Sequence, residues 1–170
     1  MTQPSAPRRA DLSHIDTWLF DLDNTLYSAT SRLFDQIDVR IGEFIAQLLD
    51  VDSVEARKIQ KSYFRQHGTT LRGLMDEHDM APEKFLEYVH DIDFSSLEPR
   101  DGLDAALSAL PGRKLIFTNA DMPYSRKILA RLGVAHHFEH IYDIVAANYV
   151  PKPFPPAYDI LIERPDVTPE

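Results

Sequence analysis

Two aspartates, Asp21 and Asp23, carry the strongest chemical signal in the sequence. They follow a short β-rich run at 17–20, so we expect them at the carboxyl end of a buried strand, where open α/β sheets bind ligands. One carboxylate can attack an electrophile while its neighbour moves protons, and both offer the hard oxygens that Mg²⁺ prefers. A lone Asp-x-Asp more often opens a solvated loop or caps a helix, so the interpretation depends on further residues with matching chemistry.

Three further residues can handle a phosphate group. Thr118 and Asn119 follow the apolar run 114–117, and their hydroxyl, amide and loop N–H groups are donors suited to phosphate oxygens. Lys152 lies between two prolines that restrict the backbone, so its ammonium extends from a fixed base. Singly, Thr-Asn after a strand is more often a turn, and a surface lysine is usually solvated. Together they favour a site that binds phosphate and neutralises charge.

Elements that could position these residues alternate in the order of a parallel α/β sheet. Strands are predicted at 17–20, 114–117 and 141–145, and core helices at 103–110, 124–132 and after the proline-rich turn at 151–156. A helical block at about 31–98 interrupts this order after the first strand and is interpreted as an inserted cap.

The predicted organisation is a flexible tail at 1–13, an α/β core formed by 14–30 and 99–170, and a helical cap at 31–98. Side-chain N-caps are expected at Ser31 and Ser53 for the first two cap helices, and at Asp101 for the helix that follows the cap.

Composition narrows the class of protein. The 170 residues are 44% hydrophobic and carry 18 basic against 27 acidic side chains, a net charge of −9. No stretch approaches the roughly 18 apolar residues of a membrane span, and the first residues lack the apolar segment of a signal peptide. The absence of cysteine excludes disulfides, thiolate metal sites and a cysteine nucleophile. We therefore expect a cytoplasmic protein that binds neither membrane nor nucleic acid but admits small anionic ligands.

Several segments resemble the motifs of the haloacid dehalogenase-like hydrolases. FDLDNTLY at 20–27, IFTN at 116–119 and the Lys-Pro pair at 152–153 resemble the first three motifs of that family. HGTTLRGL at 67–74, VHDID at 89–93 and FTNAD at 117–121 resemble its pyrimidine 5′-nucleotidase branch. The resemblance extends from Trp18 to Ile162 and implies a Rossmann-like parallel sheet with an α-helical cap inserted after the first strand.

The resemblance also implies the chemistry. Asp21 would be the nucleophile that forms an aspartyl-phosphate, and Asp23 would protonate the departing oxygen and then activate water. Mg²⁺ would be held by the Asp21 carboxylate and the Asp23 backbone carbonyl. Lys152 would orient Asp21 and screen charge.

The same resemblance implies the substrate contacts. Thr118, Asn119 and Asn24 would bind phosphate oxygens. Arg72, in a cap segment bounded by two glycines, is the candidate for reaching the rest of the substrate, although a polar cap residue is more often simply solvated.

One departure from the family concerns its fourth motif, an acidic pair at the end of another strand. Asp166 and Glu170 are acidic but follow no predicted strand, so neither is assigned as a metal ligand. We therefore expect that C-terminal strands of the core are missing and the metal site is incomplete. A polypeptide ending at Glu170 is expected to fold poorly or to self-associate through the uncovered sheet edge, with very low activity.

The leading hypothesis is Mg²⁺-dependent hydrolysis of a phosphomonoester, most simply a pyrimidine nucleoside 5′-monophosphate. The alternatives are a phosphatase or mutase for small sugar or glycolate phosphates and a non-catalytic homologue that binds phosphate or a partner. A phospho-accepting receiver is disfavoured, because such modules lack a long helical insertion after the first strand. A panel of phosphate esters separates the enzymatic candidates.

Overall fold

A three-stranded parallel sheet forms the centre of the computed structural model, which describes residues 12, 14–164 and 167. The strands are β1 (Thr17–Phe20), β2 (Arg113–Phe117) and β3 (His140–Tyr142), in the order β1-β2-β3. Phe20 lies opposite Ile116, and Phe117 opposite Tyr142, so the three carboxyl ends lie at one edge. The α/β class and the parallel sheet are confirmed. Most of the predicted tail at 1–13, with Asp166 and Glu170, falls outside the described residues.

Four helices separate β1 from the rest of the sheet. They are α1 (Leu33–Leu49), α2 (Ser53–His67), α3 (Thr70–His78) and α4 (Pro82–Val89). The helical insertion after the first strand is thus present, while the domain boundaries at 31 and 98 stay predictions. Two predicted caps are wrong: α1 begins after Arg32 in a left-handed conformation without a side-chain cap, and Asp52 rather than Ser53 caps α2. Asp52 is the N-cap because its carboxylate accepts hydrogen bonds from two backbone N–H groups of the first turn.

Three helices pack around the strands: α5 (Leu103–Ala109), α6 (Met122–Leu132) and α7 (Pro155–Ile162). The predicted cap at Asp101 is wrong, because Gly102 stands at that position and no side chain caps α5. The third strand is shorter than predicted. Its successor Asp143 accepts the N–H of Ala146 and so turns the chain out of the strand. Gly133 ends α6 in the left-handed conformation.

Alternation along β2 divides the apolar residues between two faces of the sheet. Ile116 belongs to the larger cluster, which contains α6 and the four helices of the insertion. Leu115 and Phe117 point the other way, into a smaller cluster with Ala157 and Leu161 of α7. Both faces of this strand are therefore covered, as a parallel strand requires.

The first strand has a different environment. Within the described residues β1 pairs with β2 alone, so its other edge has no strand partner there, and Leu19 is 44% exposed. None of the described helices combines the length and the apolar character needed to cross a membrane.

Candidate active site

The sheet edge brings Asp21 and Lys152 together although 131 residues separate them in the chain. The ammonium of Lys152 donates to Oδ1 of Asp21 at 2.7 Å and also to the carbonyl of Phe117. The hydroxyl of Thr25 donates to Oδ2 of Asp21 at 2.7 Å. Both oxygens of this exposed carboxylate are therefore oriented by donors, which suits an ionised nucleophile held in one rotamer.

Asn119 supports Lys152 through a pair of hydrogen bonds. Its amide donates to the Lys152 carbonyl at 3.1 Å, and its amide oxygen accepts the Lys152 N–H at 2.8 Å. The side chain that the sequence assigned to phosphate binding thus fixes the lysine backbone. Thr118 follows β2, and its hydroxyl accepts the N–H of Ala120 at 3.1 Å, which leaves the hydroxyl proton available for a phosphate oxygen.

Asp23 lies in a less solvated position. Its Oδ1 accepts the hydroxyl of Tyr27 at 2.6 Å and that of Tyr124 at 2.9 Å, and no described residue donates to Oδ2. Burial raises the pKa of Asp23 above its ordinary value, although the two hydroxyls oppose that effect. Two carboxylates two residues apart therefore have different environments, the pattern by which one acts as nucleophile and the other as acid/base.

A stacked pair of rings connects the insertion to Asp23. His90, which follows α4, stacks on Tyr124 with 4.3 Å between ring centroids and 23° between planes. Nδ1 of His90 lies 3.2 Å from Oδ1 of Asp121, at an angle that makes no hydrogen bond. Burial would raise the pKa of Asp121, but His90 and the N–H of Tyr124 lower it below its ordinary value.

Tyr124 is a functional candidate that the sequence did not single out, and Tyr27 is one whose role the sequence left open. The spacing of Tyr124 along α6 marks it as a core residue and says nothing of its hydroxyl. Tyr27 could have stacked on a substrate or packed beneath the cap. Both are 1% exposed, so their rings pack in the core and only their hydroxyls reach the site.

A cavity of about 730 Å³ opens above these residues. Its polar floor consists of the sheet-edge residues Asp21, Asp23, Asn24, Thr118, Asn119 and Lys152, and its walls are apolar side chains of the insertion, Phe34, Ile37, Ile41, Phe64, Phe85, Leu86 and Val89. Asn24, in the loop after β1, is exposed and adopts a left-handed conformation with φ 57°. The cavity therefore joins the reactive edge to a largely apolar compartment.

Arg72 is not brought to this cavity. Its guanidinium binds Asp76 one turn along α3, with Nε 3.0 Å from Oδ2 and an Nη 2.8 Å from Oδ1, and the pKa of Asp76 is lowered by that contact. Besides Lys152 at the sheet edge, the lysine and arginine side chains that line the cavity are Arg57, Lys61 and Arg65, one turn apart on α2. Their i, i+4, i+8 spacing is the sequence signal that could have identified them.

The oxygens at the sheet edge fit a Mg²⁺ ion. The Asp21 carboxylate and the Asp23 backbone carbonyl would hold it, because Mg²⁺ takes hard oxygen ligands and usually keeps waters and phosphate oxygens around one or two carboxylates. Asp21 is 44% exposed at its side chain, so such an ion can reach it. Asp143, the acidic residue after β3, is not assigned as a ligand of this ion, since its carboxylate oxygens accept hydrogen bonds from the backbone N–H groups of Met122 and Ala146.

Comparison with known proteins identifies the family. Residues 15–170 match the sequence model of the haloacid dehalogenase-like hydrolases, and the chain belongs to this family of hydrolases. It is 26% identical over 159 residues to phosphate metabolism protein 8 of Saccharomyces cerevisiae, in a match that covers 84% of this chain and 49% of that protein. The chain thus spans about half the length of this curated relative.

Two solved structures resemble the chain. One is the HAD hydrolase YfnB of Bacillus subtilis bound to magnesium, with TM-score 0.49 and 17% identity, covering 88% of this chain and 72% of that chain. The other is L-2-haloacid dehalogenase of Xanthobacter autotrophicus with chloropropionic acid covalently bound, with TM-score 0.49 and 18% identity, covering 92% of this chain and 67% of that chain.

Proposed function

We propose that this chain carries the site of a Mg²⁺-dependent phosphomonoester hydrolase that acts through an aspartyl-phosphate. The observation that carries the proposal is the 2.7 Å contact between Lys152 and Asp21, with Thr25 on the second oxygen. A surface aspartate does not need two donors. A carboxylate that must approach phosphorus along one line does, because orientation of the reacting atom contributes a large part of the rate.

In the first step an oxygen of Asp21 attacks phosphorus, and the bond between phosphorus and the ester oxygen breaks. Asp23, whose burial favours the protonated form, donates its proton to that oxygen, and the alcohol leaves. In the second step water attacks the aspartyl-phosphate and gives its proton to the Asp23 carboxylate. The bond between phosphorus and Asp21 then breaks, so phosphate is released and both carboxyl groups return to their starting states.

The remaining residues hold the phosphate and its charge. The Thr118 hydroxyl and Asn24 would donate to phosphate oxygens, and Lys152 would neutralise the charge that develops beside Asp21. Asn119 acts through Lys152 by fixing its backbone. Mg²⁺, when bound, would supply further neutralisation of the phosphate oxygens.

A pyrimidine nucleoside 5′-monophosphate is the proposed substrate. Phe34 and Phe64 are 47% and 63% exposed and line the cavity, so an aromatic base can stack on them at low cost. A sugar or glycolate phosphate has no group that would use this apolar wall. The substrate preference therefore depends on the insertion, and the chemical step on the sheet edge.

The test is hydrolysis of UMP, CMP, p-nitrophenyl phosphate and small sugar or glycolate phosphates by the purified protein at millimolar Mg²⁺. Asp21→Asn should remove nearly all activity, and Asp23→Asn should cost about 10²–10⁴-fold. Asp50→Asn, at an exposed aspartate that ends α1, is the control and should change nothing. An Asp21→Asn variant that stays within about tenfold of the parent, a difference of only 1.4 kcal/mol, would exclude the proposed nucleophile.

A further inference from the structure

Asp104, His136 and His137 form a second cluster of chemically active side chains, here called the Asp-His cluster. Asp104 lies in the first turn of α5, and both histidines belong to a short 3₁₀ helix, Ala135–His137, between α6 and β3. Nε2 of His137 lies 2.8 Å from Oδ1 of Asp104, and Nε2 of His136 lies 3.2 Å from the same oxygen. None of the three residues lines the cavity above Asp21.

The spacing of these donor atoms matches the edges of a metal coordination shell. Ligands about 2.0–2.1 Å from a metal ion are about 2.9 Å apart at right angles and about 3.3 Å apart in a tetrahedron. The two separations of 2.8 and 3.2 Å already have these lengths, and all three donor atoms lie within 4.8 Å of one another. The third separation, between the two histidine nitrogens, is at most 4.8 Å, so these nitrogens would move closer together around an ion.

The donor set selects the kind of ion. Two imidazole nitrogens and one carboxylate oxygen suit Zn²⁺, Co²⁺, Ni²⁺ or Cu²⁺, whereas Mg²⁺ prefers an all-oxygen shell. One carboxylate oxygen of Asp104 now faces an imidazole nitrogen from each histidine, and the centroids of the two imidazole rings are 4.0 Å apart. An ion bound to both imidazoles and to the carboxylate would take the place of the protons that now lie between these donor atoms.

The fold holds one ligand firmly and leaves the others accessible. The His137 side chain is 10% exposed, and the short helix that carries it lies between the fully buried Val134 and Phe138, which packs against the larger core cluster. The Asp104 and His136 side chains are 62% and 64% exposed. An ion could therefore enter from solvent and complete its shell with water.

We propose that the Asp-His cluster is a binding site for a single divalent transition-metal ion of the Zn²⁺ class, separate from the Mg²⁺ site at Asp21. Such an ion would connect α5 to the segment between α6 and β3. Since it binds the folded chain, it would stabilise the fold in proportion to the logarithm of its free concentration.

Calorimetric titration with ZnCl₂ tests this proposal. The titration uses the Asp21→Asn protein, so that the carboxylate at the sheet edge does not contribute. We expect a single Zn²⁺ per chain, no comparable binding of Mg²⁺, and a higher Tm in the presence of Zn²⁺. His136→Ala and Asp104→Asn should each weaken Zn²⁺ binding at least about tenfold and abolish the rise in Tm. Both positions are exposed, so neither change disturbs the core.

Two controls make the result decisive. His14→Ala removes an exposed histidine elsewhere and should leave Zn²⁺ affinity unchanged. Bound Co²⁺ should give the visible absorption of an ion with nitrogen ligands, and His136→Ala should remove that absorption. Zn²⁺ binding that survives both His136→Ala and Asp104→Asn, or a parent protein without stoichiometric binding, would overturn the assignment.

Discussion

Replacing Tyr124 or Tyr27 with Phe should weaken Asp23 as an acid without changing the cavity. Each variant deletes one of two hydroxyls that donate to the same oxygen, Oδ1, at 2.9 and 2.6 Å. The donors favour the anion that Asp23 becomes when it protonates the leaving group, so their loss makes proton transfer harder. Neither ring lines the cavity, so substrate binding should be unchanged.

The magnitude follows from the number of hydrogen bonds lost. A hydrogen bond to a charged group contributes about 1.5–3 kcal/mol, and in each single variant the surviving hydroxyl compensates in part. We therefore expect kcat/KM for UMP to fall about tenfold in each single variant, and further in the double variant. The fall in the double variant cannot exceed the loss in Asp23→Asn, about 10²–10⁴-fold, because both act on the same carboxyl.

The assay compares UMP with p-nitrophenyl phosphate. p-Nitrophenol is a far stronger acid than a ribose hydroxyl, so its departure needs little protonation, and the variants should lose much less activity on it. Tyr63→Phe, which removes a hydroxyl bonded to His78 on the insertion, is the matched control. Equal losses on both substrates would mean that the tyrosines only stabilise the fold. No loss on UMP in the double variant would refute the contribution of the two hydroxyls to proton transfer by Asp23.

Two further predictions concern stability. A Cβ at Gly73 would lie 2.5 Å from Cβ of Tyr63, so Gly73→Ala should destabilise the protein by about 1–3 kcal/mol in urea unfolding. Gly42→Ala, where the nearest atom is 3.6 Å away, should stabilise it by up to about 1 kcal/mol. Stabilisation by Gly73→Ala would show that helix propensity outweighs packing there, and destabilisation by Gly42→Ala would contradict the expected gain in propensity. Asp121→Asn keeps the cap of α6 but removes the charge beside His90, so it should cost about 0.3–1 kcal/mol at neutral pH. Because folding lowers the pKa of Asp121 from 3.8, the charge of Asp121 stabilises the fold at pH values above 3.8. The destabilisation caused by Asp121→Asn should disappear as the pH falls through the lowered pKa of the folded state. Destabilisation that persists in acid would show that Asp121 acts through geometry instead of charge.

Local patterns in the sequence predicted the elements that carry the site. The strand at 17–20 was predicted with the bounds that the structure has, and helices follow it where the helical block was predicted. Buried residues alternate along a strand and recur every three or four residues along a helix. The signal for each element is therefore contained within a few neighbouring residues. The start of α1 and the end of β3 were missed because they depend on a left-handed Arg32 and on Asp143 bound to two backbone N–H groups.

Arg72 shows how a local signal can be overlooked. Asp76 stands four residues further along α3, the spacing at which opposite charges meet on one helix face. That pairing was readable in the sequence and competes with any contact to a substrate. The direction in which the helix face points, away from the cavity, was not readable.

The sequence by itself determined which residues could act: the aspartate pair, the Thr-Asn turn, the lysine between prolines, and the family to which they belong. Only the tertiary structure decided which atoms meet. Lys152 reaches Asp21 across 131 residues, Asn119 holds the backbone of Lys152, and a core tyrosine of α6 donates to Asp23 across 101 residues. Such contacts arise because the parallel strands end at one edge of the sheet, and no pattern within a single segment records what lies across that edge.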